Sequence, residues 1–305
     1  MIEIAKESIN GKTGLIGLLG SPVNHSLSPV IHNAALTALN LNWRYLAFPC
    51  NADDLELALK GLRRINCKGL NITIPHKNNA LKLCDKIDQL AQEIGAVNTL
   101  IPGINNSWDG TNTDVKGFLA PLKEYQKLTG KAAVIIGSGG SAKAVVHALN
   151  LLNISEITII TRKKNSLEEF LKNINNVNNL SCNFHGLIAD NSSIRDHINH
   201  ADLIVNTTPV GMNGRSDSNN NTIPLGTKNW ESLTPNTILY DLIYTPKPTE
   251  WLQLGVKYKC HIIDGLEMLI QQGAASLSLW SGIKEIPIKI MRKAAENSLN
   301  SKQVK

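Results

Sequence analysis

An α/β protein of two domains is what this 305-residue sequence predicts. Short apolar runs alternate with amphipathic stretches along most of the chain, the pattern of strands and helices layered about largely parallel sheets. Residues 132–136 form an apolar run that feeds Gly137-Ser138-Gly139-Gly140-Ser141-Ala142, a G-x-G-x-x-A turn opening onto a helical stretch. A second strand follows at the spacing of a Rossmann-type βαβ unit. The length is enough for two cores of ordinary size.

In chain order, apolar runs predict strands at 15–19, 44–48, 69–73 and 98–101. Helices fall between them at 29–39, 53–65, 77–84 and 88–94. The second helix starts Asp53-Asp54, a capped beginning, and carries Leu55, Leu59 and Leu62 at helical spacing. Residues 108–113 read as a loop, 115–128 as a helix ended by Thr129-Gly130. Strand 132–136, helix 141–152 and strand 157–161 follow, then an asparagine-rich loop at 173–183. Further strands are expected at 203–206, 238–242 and 259–262, with a polar connection at 220–235. Helices at 266–280 and 287–299 close the chain, and no internal repeat occurs.

Hydrophobic content of 42% and charged content of 18% belong to a globular chain, not a disordered one. The net charge of +6 comes from scattered lysines without a basic run, so no nucleic-acid partner is expected. A mild positive field suits small anionic ligands instead. The cysteines (Cys50, Cys67, Cys84, Cys182, Cys260) contain no C-x-x-C pair, so neither a zinc site nor a disulfide framework is indicated, and no metal is expected. Residues 13–20 are apolar but too few to span a bilayer, and Pro22 and Asn24 follow at once. The expectation is a cytoplasmic protein with no membrane partner and free thiols in a reducing compartment.

Within the glycine turn each residue has a task. Gly137 permits the tight bend, Gly139 lets backbone approach a pyrophosphate, and Ala142 allows helix and strand to pack closely. The helix start then presents free N–H groups and a partial positive charge to phosphate. At the end of the next strand, where an NAD-binding unit usually carries Asp or Glu for the ribose, the sequence has Thr161-Arg162-Lys163-Lys164. Cationic groups without a carboxylate favour a 2′-phosphate, so the cofactor expected is NADP.

Three polar motifs lie outside this unit. In His25-Ser26-Leu27-Ser28-Pro29, Ser28 suits an N-cap and Pro29 the first helical position. The same two hydroxyls beside a helix start also make a carboxylate cradle. In Asn71-Ile72-Thr73-Ile74-Pro75-His76-Lys77, the alternation sends Asn71 and Thr73 to one face and the proline ends the strand, so that Lys77 turns toward its mouth. Asp109-Gly110-Thr111-Asn112-Thr113-Asp114 stands at the junction of the two domains.

Together these motifs resemble the shikimate dehydrogenase family over nearly the whole chain. The family's S-x-S is similar to Ser26 and Ser28, its N-x-T-x-P-x-K to Asn71, Thr73, Pro75 and Lys77, and its A-V-N-T to Ala96-Val97-Asn98-Thr99. N-T-D is met by Asn112-Thr113-Asp114, and Asn206-Thr207-Thr208-Pro209-Val210-Gly211-Met212 is similar to the loop beside the nicotinamide. Asp241-Leu242-Ile243-Tyr244 and the run from Asp264 through Gly265, Met268 and Gln272 complete the series. One departure concerns N-R-T-x-x-R, where Arg162 keeps the first arginine and Ser166 stands at the second.

The resemblance implies reversible NADPH-dependent reduction of 3-dehydroshikimate to shikimate on the route to chorismate and the aromatic amino acids. It implies that Lys77 and Asp114 handle the proton, that Ser26, Ser28 and Tyr244 hold a carboxylate, and that Thr73, Asn98 and Gln272 read ring hydroxyls. Gly137 to Ala142, Thr161, Arg162, Lys163, Thr207, Met212, Gly265 and Met268 would contact the cofactor. A substrate domain of 1–114 plus 265–305 and an NADP domain of 115–264 follow, with the C-terminal helices returning to the first domain and the active site in the cleft. Closure of that cleft on cofactor binding is expected, and a homodimer is compatible with the sequence. A quinate/shikimate dehydrogenase with relaxed NAD/NADP use is the alternative kept open by Ser166. A methylene-tetrahydrofolate dehydrogenase-like enzyme lacks this motif set, and a non-catalytic sensing relative is expected to have lost Lys77 or Asp114.

Overall fold

The computed structural model describes residues 9–125, 128–175, 182–212, 215–217, 219–231 and 233–303. The chain forms two compact units, Met1–Thr113 with Leu269–Lys305, and Asp114–Met268. Among the described residues no helix is long and apolar enough to cross a membrane.

The first unit is built on a six-stranded sheet of β1 (Gly14–Gly20), β2 (Trp43–Pro49), β3 (Leu70–Ile72), β4 (Lys86–Ile87), β5 (Thr99–Pro102) and β6 (Trp108–Thr111), in the order β2-β1-β3-β5-β6-β4. β1 pairs in parallel with β2 and β3, and β4 with β6, whereas β5 runs antiparallel to β3 and β6. The helices are α1 (Ser28–Ala38), α2 (Leu55–Arg64), α3 (Lys77–Lys82) and α4 (Gln89–Ile94). Leu55 and Leu59 of α2 bury against Leu19, Leu70, Ile72, Leu100 and Trp108 of the sheet, as their helical spacing requires. The last two helices of the chain, α10 (Leu266–Ser281) and α11 (Ile288–Gln303), belong largely to this unit, and α11 packs on α1. Trp280 of α10 donates its indole N–H to the Leu100 carbonyl at 3.0 Å and fills the space where a side chain at position 69 would stand, which is why Gly69 precedes β3.

The second unit opens with α5 (Asp114–Leu122) and alternates β7 (Ala132–Ile136), α6 (Gly140–Leu151), β8 (Glu156–Thr161), α7 (Lys164–Asn175), β9 (Asn183–Ile188), α8 (Ile194–His200), β10 (Leu203–Asn206), β11 (Ile238–Asp241), α9 (Glu250–Lys257) and β12 (His261–Ile263). Its sheet is parallel throughout, in the order β12-β11-β10-β7-β8-β9. Strands therefore run outward in opposite directions from β7, the doubly wound arrangement in which ligands bind beyond the strand ends where the order reverses. Val134, Ile160, Ile204 and Leu239 fill one side of the sheet with Trp230 and Trp251. Phe118 of α5 stacks on Tyr240 of β11 at 4.7 Å.

Several local expectations are corrected. Residues 108–111 are strand β6 rather than loop, because they pair along β5 despite their Asp-Gly content. The helix expected over 115–128 ends at Leu122, one residue after Pro121. Neither Ser28 nor Asp53 caps a helix: Leu27 and Asp54 hold those positions, and neither side chain makes a capping bond. The asparagine-rich stretch 173–183 is helical to residue 175, lies outside the described residues from 176 to 181, and enters β9 at its end. The strand expected at 259–262 is β12, shifted to 261–263 because Lys259 takes a left-handed φ of 62°.

Candidate active site

In the second unit the glycine turn leaves β7 and enters α6. Gly137 has φ 109°, and a Cβ there would stand 2.5 Å from the Thr207 hydroxyl, so only glycine fits. Thr207 in turn donates to the Ile136 carbonyl at 2.8 Å, locking the turn. Gly139 differs: it is the N-cap of α6, its backbone is extended, and a Cβ would meet nothing within 4 Å. Among the described residues no atom requires a glycine there, while a ligand pressing on that backbone would. Ser138, Gly140 and Ser141 are half-buried beside it, and Ala142 is fully buried against the sheet. No side chain caps α6, so its start offers N–H groups to an anion. This cradle fits the pyrophosphate of a dinucleotide.

At the end of β8, Thr161 is buried and spends its hydroxyl on the Lys163 carbonyl at 3.1 Å, which closes the basic turn. Arg162, Lys163 and Lys164 are exposed around it, with Lys164 3.8 Å from Glu168. Two further loops are fixed by a buried pair. Asn206, ending β10, donates to the Asp241 carboxylate at 3.0 Å, and its carbonyl oxygen accepts from the Thr208 N–H and hydroxyl at 3.0 and 2.7 Å. Asp241 also accepts from the Ile243 N–H at 3.1 Å and the Thr249 hydroxyl at 2.8 Å. Burial pushes its carboxyl up to about 7 against these hydrogen bonds. The loops so held carry Met212 and Tyr244, both half-buried. Gly265 packs directly on the Leu242 carbonyl, where a Cβ would collide, and Met268 is buried.

In the first unit, the Ser26 hydroxyl accepts the Ser28 N–H at 3.1 Å, so the two serines share the start of α1. Ser28 is buried and is the first helical residue. One turn on, His32 donates through Nδ1 to the Ser28 carbonyl at 2.8 Å and stacks on Tyr45 of β2 at 4.0 Å. Burial drives the His32 imidazole down to about 4, so it is neutral at pH 7. Thr73 follows β3 and is half-buried, as is Lys77, the first residue of α3. The Lys77 carbonyl accepts the Val97 N–H at 3.0 Å, tying α3 to the segment that carries Asn98.

Asn98 is buried, and its amide is oriented by the Thr113 N–H, which can only donate, at 2.8 Å from Oδ1. Its Nδ2 then donates to the Thr113 hydroxyl at 2.9 Å and faces Gln272 Oε1 at 3.4 Å. Gln272 is held from the other side by its own Nε2 donating to the Leu269 carbonyl at 2.8 Å. Asp114 is buried and follows Asn112 and Thr113, both also buried. The fold thus brings Asn98, Gln272 and the Thr113 that precedes Asp114 into one hydrogen-bonded group, and Ser26 and Ser28 into another. Thr161 instead turns its hydroxyl onto a carbonyl of its own turn, and Thr207 onto the Ile136 carbonyl at the end of β7. Residues without an assigned role in the motifs, His32, Tyr45 and Ser276, prove central to the packing. The signal available for His32 and Ser276 was the i, i+4 spacing from Ser28 and Gln272.

The shikimate dehydrogenase substrate binding domain matches residues 18–100, and the shikimate 5′-dehydrogenase C-terminal domain matches residues 265–296. A protein of Prochlorococcus marinus named shikimate dehydrogenase (NADP(+)) is 47% identical over 291 residues, covering 95% of this chain and all of its own. A shikimate 5-dehydrogenase from Listeria monocytogenes, solved with shikimate and NAD, superposes with a TM-score of 0.80 at 32% identity, over 94% of this chain and 98% of that one. The Thermus thermophilus shikimate 5-dehydrogenase, solved with NADP(H) and shikimate, gives a TM-score of 0.78 at 30% identity, over 94% and 100% of the two chains.

Proposed function

The chain belongs to the shikimate dehydrogenase family, and on that premise we propose that it catalyses the reversible NADPH-dependent reduction of 3-dehydroshikimate to shikimate, supplying chorismate and the aromatic amino acids in the cytoplasm. The observation that carries the reading is the group of buried Asn98 and Thr113 with half-buried Gln272, whose side chains are ordered by one another. Such preorganised polar groups suit a ring bearing several hydroxyls and reject an analogue that lacks one. The Gly139 cradle and the exposed Arg162 and Lys163 support NADP as the cofactor.

When bound, NADPH supplies the hydride. Residues 115–264 would hold it, with Gly137 to Ala142 at the pyrophosphate, Thr161, Arg162 and Lys163 at the 2′-phosphate, and Thr207 and Met212 at the nicotinamide, where Gly265 and Met268 of the following segment would join them. Residues 1–114 with 265–305 bind the substrate. Ser26, Ser28 and Tyr244 take its carboxylate, while Thr73, Asn98 and Gln272 hold its hydroxyls. As the ketone becomes an alcohol its oxygen gains charge and requires a proton. Lys77 delivers or withdraws that proton, and Asp114 holds a ring hydroxyl and the lysine's charge.

The test follows absorbance at 340 nm with shikimate and NADP+, then with NAD+ and with quinate. Turnover is expected with shikimate and NADP+ and should fall with either replacement. Lys77→Ala should lower kcat by about 10² or more with little change in KM, the loss typical of acid–base help. No turnover of shikimate with either cofactor would overturn the reading; equal use of quinate or NAD+ would replace it with the broader quinate/shikimate activity.

A further inference from the structure

Ser276 stands one helical turn beyond Gln272 on α10 and is fully buried. Its hydroxyl is a meeting point. It donates to the Gln272 carbonyl at 3.0 Å, and Asn71 Nδ2 donates to it at 2.9 Å. The hydroxyls of Thr99 and Thr113 lie 2.8 and 3.2 Å away. Thr99 donates to Asn98 Oδ1 at 2.9 Å, and Thr113 receives Asn98 Nδ2. A hydroxyl has one proton and two lone pairs, so this many contacts leave little freedom in how the protons are arranged. Ser276 accepts from Asn71 and holds the hydroxyls of Thr99 and Thr113, the two side chains that flank Asn98 while its second Nδ2 proton faces Gln272.

The same chain runs on toward the serine cradle. Asn71 Nδ2 also approaches the Asn98 carbonyl at 3.3 Å, which can only accept, so Asn71 Oδ1 must face the other way. There it accepts the Tyr45 hydroxyl at 2.8 Å. Tyr45 is fixed by Asn33 of α1, whose amide both donates to the Tyr45 carbonyl and accepts its N–H, each at 2.9 Å. Stacked on Tyr45 is His32, which holds the Ser28 carbonyl. Gly273 is part of this arrangement: a Cβ there would stand 3.0 Å from the His32 ring.

We propose that Ser276 is a positioning residue for substrate recognition, setting Asn98 and Gln272 in the geometry that reads the ring hydroxyls and tying them through Asn71 and Tyr45 to the Ser28 end of α1. The proposal rests on the functional reading above and names a residue that touches no substrate in it. Alanine at 276 keeps the helix but takes one buried partner each from Asn71, Thr99 and Thr113, the kind of loss that costs about tenfold in an equilibrium constant.

The experiment measures kcat and KM for shikimate, together with the Kd for NADP+ and the melting temperature, in wild type, Ser276→Ala, Gln272→Ala and the double variant. Thr99→Val, which removes a hydroxyl from the same meeting point at nearly constant shape, is measured in parallel. Expected for Ser276→Ala is a KM for shikimate raised about tenfold, with kcat within about threefold and the NADP+ Kd within about twofold of wild type. Because Ser276 acts through Gln272 and Asn98, the double variant should lose little more than Gln272→Ala alone. An unchanged KM, or losses that multiply fully in the double variant, would overturn the proposal while wild-type turnover upholds the enzyme reading. A wild type inert toward shikimate sinks both. Should Ser276→Ala fail to bind NADP+ or to melt cooperatively, Thr99→Val decides: a raised KM upholds the relay and a wild-type KM ends it.

Discussion

At the scale of single residues, two glycines two positions apart do different work. Gly137 is glycine because its own protein forbids anything else: φ is 109° and Thr207 fills the space beside it. Gly139 is glycine although nothing among the described residues crowds it. Alanine at 137 should therefore destabilise the unit by roughly 1–3 kcal/mol, the range for strained backbone, with a lower melting temperature to match. Alanine at 139 should leave the melting temperature near that of wild type and weaken NADP+ binding at least about tenfold, because the methyl occupies the pyrophosphate's approach. Thermal denaturation and a fluorescence titration of NADP+ check the pair. Full NADP+ affinity in Gly139→Ala would remove the cradle from the site.

Among elements, the loops leaving β10 and β11 are held by one buried carboxylate, Asp241, through Asn206, Ile243 and Thr249. Replacing Asp241 with alanine strands all three donors. Hydrogen exchange in peptides covering 207–212 and 242–249 should then quicken by about tenfold or more, with less effect from Asp241→Asn, which keeps the shape and an accepting oxygen. Unchanged exchange in the alanine variant would show that the loops need no such anchor. The elements also mark what was legible in advance. β1, β2, β7, β10 and β11 announced themselves as short apolar runs, and the glycine turn by its punctuation. β6 did not, because Asp109 and Gly110 are poor strand formers and only pairing with β5 makes them extended. α7 carries Leu167, Phe170 and Ile174 on a buried stripe, a readable helix signal hidden by the asparagines that follow it. Side-chain groupings were legible where a motif clusters them in sequence, as with Ser26 and Ser28 at the start of α1. Ser276 was not, since its partners Asn71, Thr99 and Thr113 are brought to it only by the tertiary fold.

For the molecule as a whole, each unit buries one group whose titration works against the other's. His32 in the first unit has its proton affinity lowered in the fold, from 6.5 to about 4, so its contribution is present above pH 6.5 and is lost as pH falls toward 4. Asp241 in the second is raised from 3.8 to about 7, so its contribution is present below 3.8 and is lost as pH rises through 7. Between pH 4.5 and 7, urea denaturation of His32→Gln should gain less stability with rising pH than wild type, and Asp241→Asn should gain more. Parallel pH slopes in all three proteins would refute both assignments. The order of the chain has a further consequence, for synthesis. Asn71 donates to Ser276, which lies 205 positions later, so the buried amides and hydroxyls of the early strands emerge long before their partner exists. At about 5–20 residues per second that interval is roughly 10–40 s. The intervening unit, contiguous from 114 to 268, is synthesised within it. The nascent chain therefore holds its first hundred residues as an unfinished half, closed only when α10 and then α11 arrive.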